Sequence, residues 1–573
     1  MFSKKETIRK IVLILSIIGL ILCITLLFPQ VRVGIVSFLE QMMHRKLYSP
    51  SAWVAVISSF AIGGICFLIF INYCIQTNSG RKLVSSTKEE VKVCLSEIDF
   101  RSFIKPSLWM FVVYSLGILT IIRANFYYDD DFFRAVLGTR GFNYFNRYVA
   151  EILSIFIHAN FKLTDISPLP QLLAALMLAV SSVLLVYILC NKKITVISLL
   201  ASIPLGLSPF FLECLSYKYD APYMALSVLA SIFPFIFMNR KRAFLFFSVI
   251  SLLIMFMTYQ AASGVYLMIV LILCFQDWNT QRKTNKEILS FAGTSLFAYV
   301  LVMLIFKFFI MKPPVKIYVS SEMLPINQLI PGLLLNIKIY IHFIISVLSL
   351  VWIICIALVV IFFLFKSVQV SSQKKLIALM LSFFVICLSF LLSYGIYYML
   401  KHQVLALRLT YGFGVWLAIL CVYITYNYSK IAKIAALALC WSFFVFAFSY
   451  GNALADQMRY TNFRVGLLMH DLSTLFPEEN KVSIQFDKTI DYTPSVKLLA
   501  EKYPVTAWLR VKMYEKTWQY IYFMDYFNFG QMQNQKYTED TLDYDTLDLP
   551  VVLDTYYHTI KSDGEHVLVV LKH

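Results

Sequence analysis

Three consecutive carboxylates, Asp129, Asp130 and Asp131, are followed by Arg134, and the cluster comes directly after an apolar run over residues 107–122. Carboxylates are too costly to place in hydrocarbon, so we expect this cluster just outside the lipid, at the mouth of a membrane-spanning bundle. On a helix, Asp130 and Arg134 share a face. A carboxylate there could accept a proton from an attacking hydroxyl as a general base, while the guanidinium binds a phosphate oxygen. A solvated loop with a local ion pair is the alternative interpretation.

Two further polar segments interrupt the apolar sequence later in the chain. Residues 217–220 read Tyr-Lys-Tyr-Asp, and a Lys218–Asp220 pair beside two tyrosines could hold a sugar or a phosphate. The same segment also suits an interfacial aromatic belt with a snorkelling lysine. Residues 401–411 bring basic side chains into a late loop on the side where such residues are rare, which indicates either phosphate binding or topological noise.

The composition is that of a polytopic membrane protein. Of 573 residues, 59% are hydrophobic and only 14% are charged, and the mean hydropathy is +0.72. The net charge of +17 comes from basic residues clustered in short connections between apolar runs, which is the positive-inside pattern rather than a nucleic-acid-binding surface. The eleven cysteines show no CxxC spacing, so neither a disulfide framework nor a zinc site is predicted.

The apolar runs predict an all-α polytopic membrane protein with about thirteen transmembrane helices, at roughly 20 residues per span. Three domains follow: an N-terminal transmembrane hairpin with a cytoplasmic loop over residues 1–106, a transmembrane catalytic domain over 107–450 and a soluble extracytoplasmic domain over 451–573. The last is polar, and we expect a small α/β fold in it. The predicted spans are 11–29, 53–75, 107–123, 168–190, 194–212, 222–238, 244–260, 262–276, 289–311, 343–365, 376–399, 412–427 and 433–450.

The connections between spans alternate in charge. Basic connections such as residues 76–106 are expected in the cytoplasm, which places the alternate loops, including residues 124–167, and everything after about residue 450 outside it. We therefore predict a multi-pass protein of the bacterial cytoplasmic membrane whose site faces outward. Two outer segments, residues 146–163 and 332–345, have apolar residues at helical spacing and are predicted to be amphipathic helices on the membrane surface.

Residues 130–147 carry the order Asp-Asp-x-x-Arg, then Gly, then Arg, and this order resembles the first outer loop of the bacterial GtrII-type glucosyltransferases. Those enzymes decorate O-antigen and related surface glycans, and their loop typically reads DDxxR, then a glycine, an aromatic residue and Gly-Arg. Residues 216–221 and 407–412 are similar to two later features of the family, so the resemblance covers about residues 107–570. Two departures are Asn146, where the family usually has Gly, and the N-terminal hairpin ahead of the family's first span.

The resemblance implies a GT-C-like glycosyltransferase that uses a polyprenyl-phosphate sugar on the outer face of the membrane. It implies transfer of a hexose, glucose first, from undecaprenyl phosphate to a hydroxyl of a surface or cell-wall glycan, with inversion at the anomeric carbon. We expect Asp130 or Asp131 to be the general base. The cations expected to bind the donor phosphate are Arg134, Arg147, Lys218 and Arg408, and the residues expected to bind substrate are Asp129, Tyr217, Asp220 and Tyr411.

No cofactor is expected, because arginine and lysine can serve a monophosphate leaving group, although three carboxylates leave a divalent metal open. The expected partners are the polyprenyl-phosphate sugar, a glycan acceptor and membrane lipids, with no nucleic acid. A flippase or transporter of a lipid-linked sugar is the alternative function, but it requires polar residues at mid-membrane, and those are sparse in this sequence. A non-enzymatic envelope scaffold would leave the aspartate and arginine cluster unexplained.

Overall fold

The structure is a computed structural model, and it describes residues 78–311, 322–477, 483–509, 526 and 546–572. The chain forms two compact units, of which the first contains residues 1–98 with 307–309 and the second contains the remainder. The described part of the first unit is mainly one polar helix, α1 (Asn78–Glu97). All other elements named below belong to the second unit.

Helices make up most of the second unit. In chain order they are α2 (Arg101–Gly117), α3 (Leu119–Ala124), α4 (Asp131–Leu137), α5 (Tyr148–His158), α6 (Leu169–Leu189), α7 (Val196–Leu200), α8 (Pro204–Leu207), α9 (Pro209–Ser216), α10 (Ala221–Ile232), α11 (Lys241–Thr258), α12 (Ser263–Asn279), α13 (Asn285–Ile305), α14 (Leu329–Val347), α15 (Leu350–Gln369), α16 (Lys375–Leu392), α17 (Gly412–Thr425), α18 (Lys430–Leu475) and α19 (Pro494–Lys502).

Eight helical stretches among the described residues are long and apolar enough to cross a membrane, or nine if the bent pair Val196–Leu207 and Pro209–Ser216 is one span. This confirms a polytopic, mainly helical architecture. It does not confirm the predicted count of about thirteen spans. The spans predicted at residues 11–29 and 53–75 lie outside the residues that the structure describes.

Three other predicted spans are broken or short. The span predicted at residues 107–123 divides into α2 and α3 at Ile118. The one predicted at 222–238 leaves α-helical geometry after Ile232, where Pro234 follows in a 3-10 turn. Helix α17 has 14 residues, fewer than the roughly 20 that cross a bilayer at right angles. Apolar composition alone therefore overestimates the continuity of these helices.

Hydrogen bonds between loops show that the connections collect at two ends of the bundle. At the basic end, Arg282 Nη1 donates to Asn191 Oδ1 at 2.6 Å, and the Ser372 N–H donates to the Asn279 carbonyl at 2.9 Å. Each of these connections carries basic residues, the feature by which the positive-inside pattern assigns a loop to the cytoplasmic side. Helix α17 ends beside Lys366, whose Nζ donates to the Tyr423 carbonyl near the basic connections, whereas Arg408, in the loop before α17 begins, lies beside Asp129 at the opposite end.

Helix α14 contacts that opposite end at two points. The stretch Ile326–Val347 is long and apolar enough to be a span. However, Asn336 Nδ2 donates to the carbonyls of Tyr398 and Leu400 at 2.8 and 2.9 Å, directly after α16 has ended. Seven residues later, Phe343 packs against Trp508 of the C-terminal region, with ring centroids 4.8 Å apart. Both contacts belong to one end of the bundle. The predicted position of residues 332–345 on the membrane surface stays a prediction.

The C-terminal region contains the small α/β fold that the sequence predicted. Its four strands are β1 (Ser483–Asp487), β2 (Val551–Asp554), β3 (His558–Ser562) and β4 (His566–Leu571). They form one sheet in the order β1-β4-β3-β2, with β1 parallel to β4 and the other neighbours antiparallel. The sheet is joined to the 46-residue helix α18, because the buried Arg464 donates from Nη2 to the carbonyls of Tyr557 and Lys572.

Candidate active site

The three carboxylates of the acid cluster occupy three different environments. Helix α4 begins at Asp131, and the residues before it form a tight turn in which Asp129 has a φ of 47°. Asp131 is fully buried, and its Oδ2 accepts the N–H of Tyr128 at 2.9 Å and the N–H of Lys218 at 3.0 Å. Burial raises the pKa of Asp131 well above its ordinary value. Asp131 thus fastens the acid cluster to the segment that carries Lys218.

Asp130 is the uncommitted carboxylate of the three. Its side chain is half-buried and makes no hydrogen bond or ion pair with any residue that the structure describes. The pKa of Asp130 is raised to about 6, chiefly by burial and next by the charge of Asp129, while Arg134 and Arg408 partly oppose the rise. A carboxyl group with a pKa in this range is suited to exchange a proton near neutral pH.

Arg134 is held by protein groups. Its Nη2 lies 3.0 Å from Asp220 Oδ1, its Nη1 donates to the Arg140 carbonyl at 2.5 Å, and its guanidinium lies 4.3 Å from the centre of the Phe142 ring. Asp220 immediately precedes α10, so this ion pair ties α4 to the start of α10. Both members are nearly inaccessible to solvent. Two residues predicted to bind substrate or phosphate therefore bind each other.

Lys218 is likewise paired with a carboxylate. Its Nζ lies 2.8 Å from Asp165 Oδ2 and 3.8 Å from the centre of the Tyr127 ring. The Tyr127 hydroxyl donates to the same Asp165 oxygen at 2.9 Å. This lysine is 2% exposed. Its ammonium group consequently stabilises the loop that contains Asp165 in this structure.

Arg408 connects the acid cluster to the membrane-embedded part of the bundle. The Arg408 N–H donates to Glu213 Oε2 at 2.7 Å, and Nη1 lies 2.5 Å from Glu213 Oε1. Nη2 lies 3.7 Å from Asp129 Oδ2, an oxygen that also accepts the Tyr217 hydroxyl at 3.3 Å. The loop before α17 therefore lies beside both α9 and the acid cluster.

Arg147 has no carboxylate partner among the described residues. Its guanidinium lies 4.3 Å from the centre of the Tyr259 ring and 5.0 Å from that of Phe145, and its buried Nε has no hydrogen-bond acceptor. Burial raises the pKa of Tyr259 well above its ordinary value, and Arg147 and Arg408 both lower it. Both arginines thus lie close enough to Tyr259 to lower its pKa.

Tyr411 packs against Tyr259 of this site. It is fully buried, its hydroxyl hydrogen-bonds to the Ser227 hydroxyl at 2.8 Å, and its ring stacks near that of Tyr259 with centroids 6.1 Å apart. In the structure Tyr411 therefore contacts Ser227 and Tyr259 and is not exposed to a substrate. Its predicted role in binding substrate stays a prediction.

Three site residues were missed by sequence reasoning. Glu213 was assigned to an outer loop at 213–221, but Pro209 restarts the helix after a 61° bend and places Glu213 inside α9. A lone carboxylate within an apolar run was the signal that could have found it. Asp165 and Tyr259 carried no such signal, because each lies in a segment of ordinary composition and gains its role only from tertiary contacts.

The C-terminal region reaches the acid cluster directly. The Tyr128 hydroxyl donates to the Leu509 carbonyl. The ring of Tyr526 packs against the rings of Tyr127 and Phe132, each with centroids 5.5 Å apart. The C-terminal region therefore contacts the aromatic residues that flank the carboxylates.

A metal site was left open by the sequence. Within the described ranges, no group of three or more His, Cys, Asp or Glu side chains is placed to hold a metal ion. Asp131 accepts backbone N–H groups and Asp129 accepts the Tyr217 hydroxyl, so these two carboxylates are directed to separate partners rather than to a common centre. Whether the reaction needs a divalent ion stays a prediction to be tested.

The family profile described as Glucosyl transferase GtrII matches residues 119–419, from α3 to within α17. This match covers more than half of the chain and contains every predicted site residue. The chain belongs to the GtrII glucosyltransferase family. Its polytopic, apolar helices are consistent with a membrane glycosyltransferase of this family.

One relative of this GtrII family member comes from Salmonella phage P22 and is described as an uncharacterized 55.3 kDa protein in the gtrB 5′ region. The two are 28% identical over 178 residues, which is 31% of this chain and 36% of the phage protein. The matched stretch thus spans little more than a third of that relative. No solved structure matches the chain.

Proposed function

We propose that this GtrII family member transfers a hexose, with glucose as the first candidate, from undecaprenyl phosphate to a hydroxyl of a surface or cell-wall glycan. The observation that carries the proposal is the pairing pattern at one end of the bundle. A carboxylate without a partner, Asp130, lies in the same site as an arginine without a carboxylate partner, Arg147, counted over the described residues. These are the two groups that displacement of a lipid phosphate by a hydroxyl requires.

Asp130 is our choice for the general base. It would take the proton from the acceptor hydroxyl while that oxygen forms a bond to the anomeric carbon of the sugar. The bond from the anomeric carbon to the phosphate oxygen breaks at the same time, and its electron pair leaves with undecaprenyl phosphate. Attack opposite the leaving group inverts the anomeric carbon, as in a GT-C glycosyltransferase. Asp131 is less suited, because its Oδ2 already accepts two backbone N–H groups.

The negative charge on the leaving phosphate needs cations. Arg134 and Lys218 are each paired with a carboxylate and are themselves nearly inaccessible to solvent. Arg147 has no carboxylate partner in the described chain, and Arg408 is paired with Glu213 but keeps 22% of its side chain exposed. We assign phosphate stabilisation to Arg147 and Arg408. Their partly dry surroundings would strengthen the interaction relative to water. Arg134 and Lys218 would instead hold the loops around the acceptor.

The membrane side also belongs to the proposal. The positive-inside pattern supports an outward-facing site in the bacterial cytoplasmic membrane, with the C-terminal sheet outside. The contacts of Tyr128 with Leu509 and of Tyr526 with Tyr127 support a glycan acceptor approaching along the C-terminal region. A lipid-linked donor would then enter from the bilayer, and the two substrates would meet at Asp130.

The decisive experiment is transfer by the Asp130→Asn variant. Purified protein is incubated with labelled undecaprenyl-phosphate glucose and glycan extracted from the host envelope. Removing the base should lower the transfer rate by about 10²–10⁴-fold. Asp456→Asn, which alters an exposed aspartate paired with Arg459, is the matched control and should transfer normally. Near-normal transfer by both Asp130→Asn and Asp131→Asn would remove the aspartate base from the mechanism, and lipid movement without transfer would favour a flippase.

A further inference from the structure

A buried glutamate lies directly behind Arg408. Glu213 is an ionisable residue in the otherwise apolar helix α9, and it has no solvent exposure. Its two oxygens accept different groups of one residue: Oε2 takes the Arg408 N–H at 2.7 Å, and Oε1 lies 2.5 Å from Nη1. A single carboxylate therefore fixes both the backbone and the side chain of Arg408.

The direction of the remaining guanidinium donors follows from this pairing. With Nη1 held by Glu213, Nη2 points toward Asp129, but its 3.7 Å separation from Asp129 Oδ2 is too long for a hydrogen bond. No described residue accepts a hydrogen bond from Nη2 or Nε of Arg408. The donors that stay available are thus on the side of the acid cluster.

A break in the helical span positions Glu213 next to Arg408. The span breaks at Ser208 and bends by 61°, and α9 restarts with Pro209 at its first position. A carboxylate in an apolar helix is costly, and such residues persist where they pair with a functional charge. The bend and the burial of Glu213 together indicate that the role of this carboxylate is to bind Arg408.

We propose that Glu213 is a positioning residue that aims Arg408 at the phosphate of the lipid-linked sugar. The inference rests on the proposed function, since it takes Arg408 as a phosphate ligand. Glu213 itself does not contact the phosphate. It restricts the guanidinium to the orientation in which Nη2 and Nε face the substrate.

The test is equilibrium binding of undecaprenyl phosphate to the purified full-length protein in detergent. The variants are Glu213→Gln, Arg408→Ala and the double variant. Glutamine keeps one oxygen for the Arg408 N–H but removes the charge, so binding should weaken about tenfold through loss of a charge-assisted hydrogen bond. In the Arg408→Ala background, Glu213→Gln should cause no additional loss, because its effect passes through Arg408.

The matched control is Glu151→Gln. Glu151 also accepts a backbone N–H, from Phe142 at 3.0 Å, and pairs with an arginine, Arg140, at 3.2 Å, but it has no contact with Arg408. It should bind undecaprenyl phosphate as the unmodified protein does. Should Glu213→Gln fail to fold by gel filtration, Glu213→Asp keeps the charge, shortens the side chain and should bind several-fold more weakly.

The outcomes separate this inference from the proposed function. If Arg408→Ala binds undecaprenyl phosphate normally, the phosphate assignment fails. If Arg408→Ala binds weakly while Glu213→Gln and Glu213→Asp bind normally, only the positioning role fails. Tighter binding by Glu213→Gln would overturn it as well, because the glutamate would then compete with the phosphate for Arg408. Losses that multiply in the double variant, or an equal loss in Glu151→Gln, would indicate a general structural effect.

Discussion

Asp130 and Asp131 are neighbours in the chain but differ in burial and in hydrogen bonding. One carboxylate is fully buried and accepts two backbone N–H groups, while the other is half-buried and has no described partner. The sequence showed two equivalent candidates for the base. Their difference comes from the segment carrying Lys218, whose N–H reaches Asp131 from 87 positions away. No local pattern contains such a contact, so only the tertiary structure separates the two.

A pH profile follows from the raised pKa of Asp130. A general base works as the carboxylate, and the pKa of Asp130 is about 6 in the substrate-free protein. We expect kcat/KM to be level above this value and to fall as the pH drops through about 6, since protonation removes the base. The measurement is the initial transfer rate at low substrate concentration from pH 5 to pH 8. The residual rate of Asp130→Asn should lack this acid limb, and an unchanged limb would assign it to another group.

Arg147 should matter more for donor binding than its position in a loop suggests. Replacing it in Arg147→Ala removes the guanidinium that lies on Tyr259 without a described carboxylate partner. We expect about tenfold weaker binding of undecaprenyl phosphate, the loss of one charge-assisted contact. Arg140→Ala is the matched control, because Arg140 is paired with Glu151 at 3.2 Å. Equal affinities of the two variants would exclude Arg147 from the phosphate site.

At the scale of elements, most of the site residues lie at the ends and breaks of helices rather than within continuous helices. The end of α3, the bend before α9 and the short length of α17 each place polar residues at one end of the bundle. Hydropathy predicted the apolar segments well, because burial in lipid needs only composition and length. Hydropathy could not predict that the spans are interrupted at Pro209 and Ile118. An interruption hardly changes the apolar composition of a segment, and it depends on the tertiary contacts that neighbouring helices make with it.

Close packing between α12 and α16 gives an element-scale prediction. A Cβ added at Gly264 would lie 1.7 Å from the Leu392 carbonyl oxygen, so the backbones must separate in Gly264→Ala. We expect destabilisation by about 1–3 kcal/mol, seen as a lower midpoint of thermal unfolding in detergent.

The matched control for this packing is Gly293→Ala in α13, where an added Cβ meets nothing within 4 Å. Alanine is the better helix former, so this variant should unfold at an equal or higher temperature, with a gain of about 0.5–1 kcal/mol. If both variants unfold alike, the close approach of α12 to α16 is wrong.

For the whole molecule, the sidedness of the bundle decides which compartment the site faces. The basic loops at residues 191–193 and 280–284 are joined at one end by the Arg282–Asn191 hydrogen bond, and the acid cluster lies at the other end. Alkaline phosphatase needs an oxidising compartment for its disulfides, so a fusion after residue 573 should be active in cells. A fusion after Lys283 is the control and should be inactive. The reverse pattern would place the carboxylates in the cytoplasm and contradict the proposed donor route.

Metal dependence is also a property of the whole enzyme and can be checked directly. The cations of the site are side chains, and the described carboxylates do not converge. We expect transfer activity to survive EDTA with little change and not to rise on addition of Mg²⁺ or Mn²⁺. A loss in EDTA that Mg²⁺ restores would require a divalent ion beside the phosphate and would revise the roles of Arg147 and Arg408.

The strand order β1-β4-β3-β2 has a consequence for biogenesis. Residues 566–571 form the strand that pairs with both β1 and β3, so the described sheet cannot join those two strands until this stretch has been synthesised. Arg464, in the C-terminal part of the long helix α18, likewise gains the carbonyl of Lys572 as a partner only then. A chain that ends before this point would leave Arg464 without that partner and would expose unpaired strand edges, which makes truncated copies targets for proteolysis.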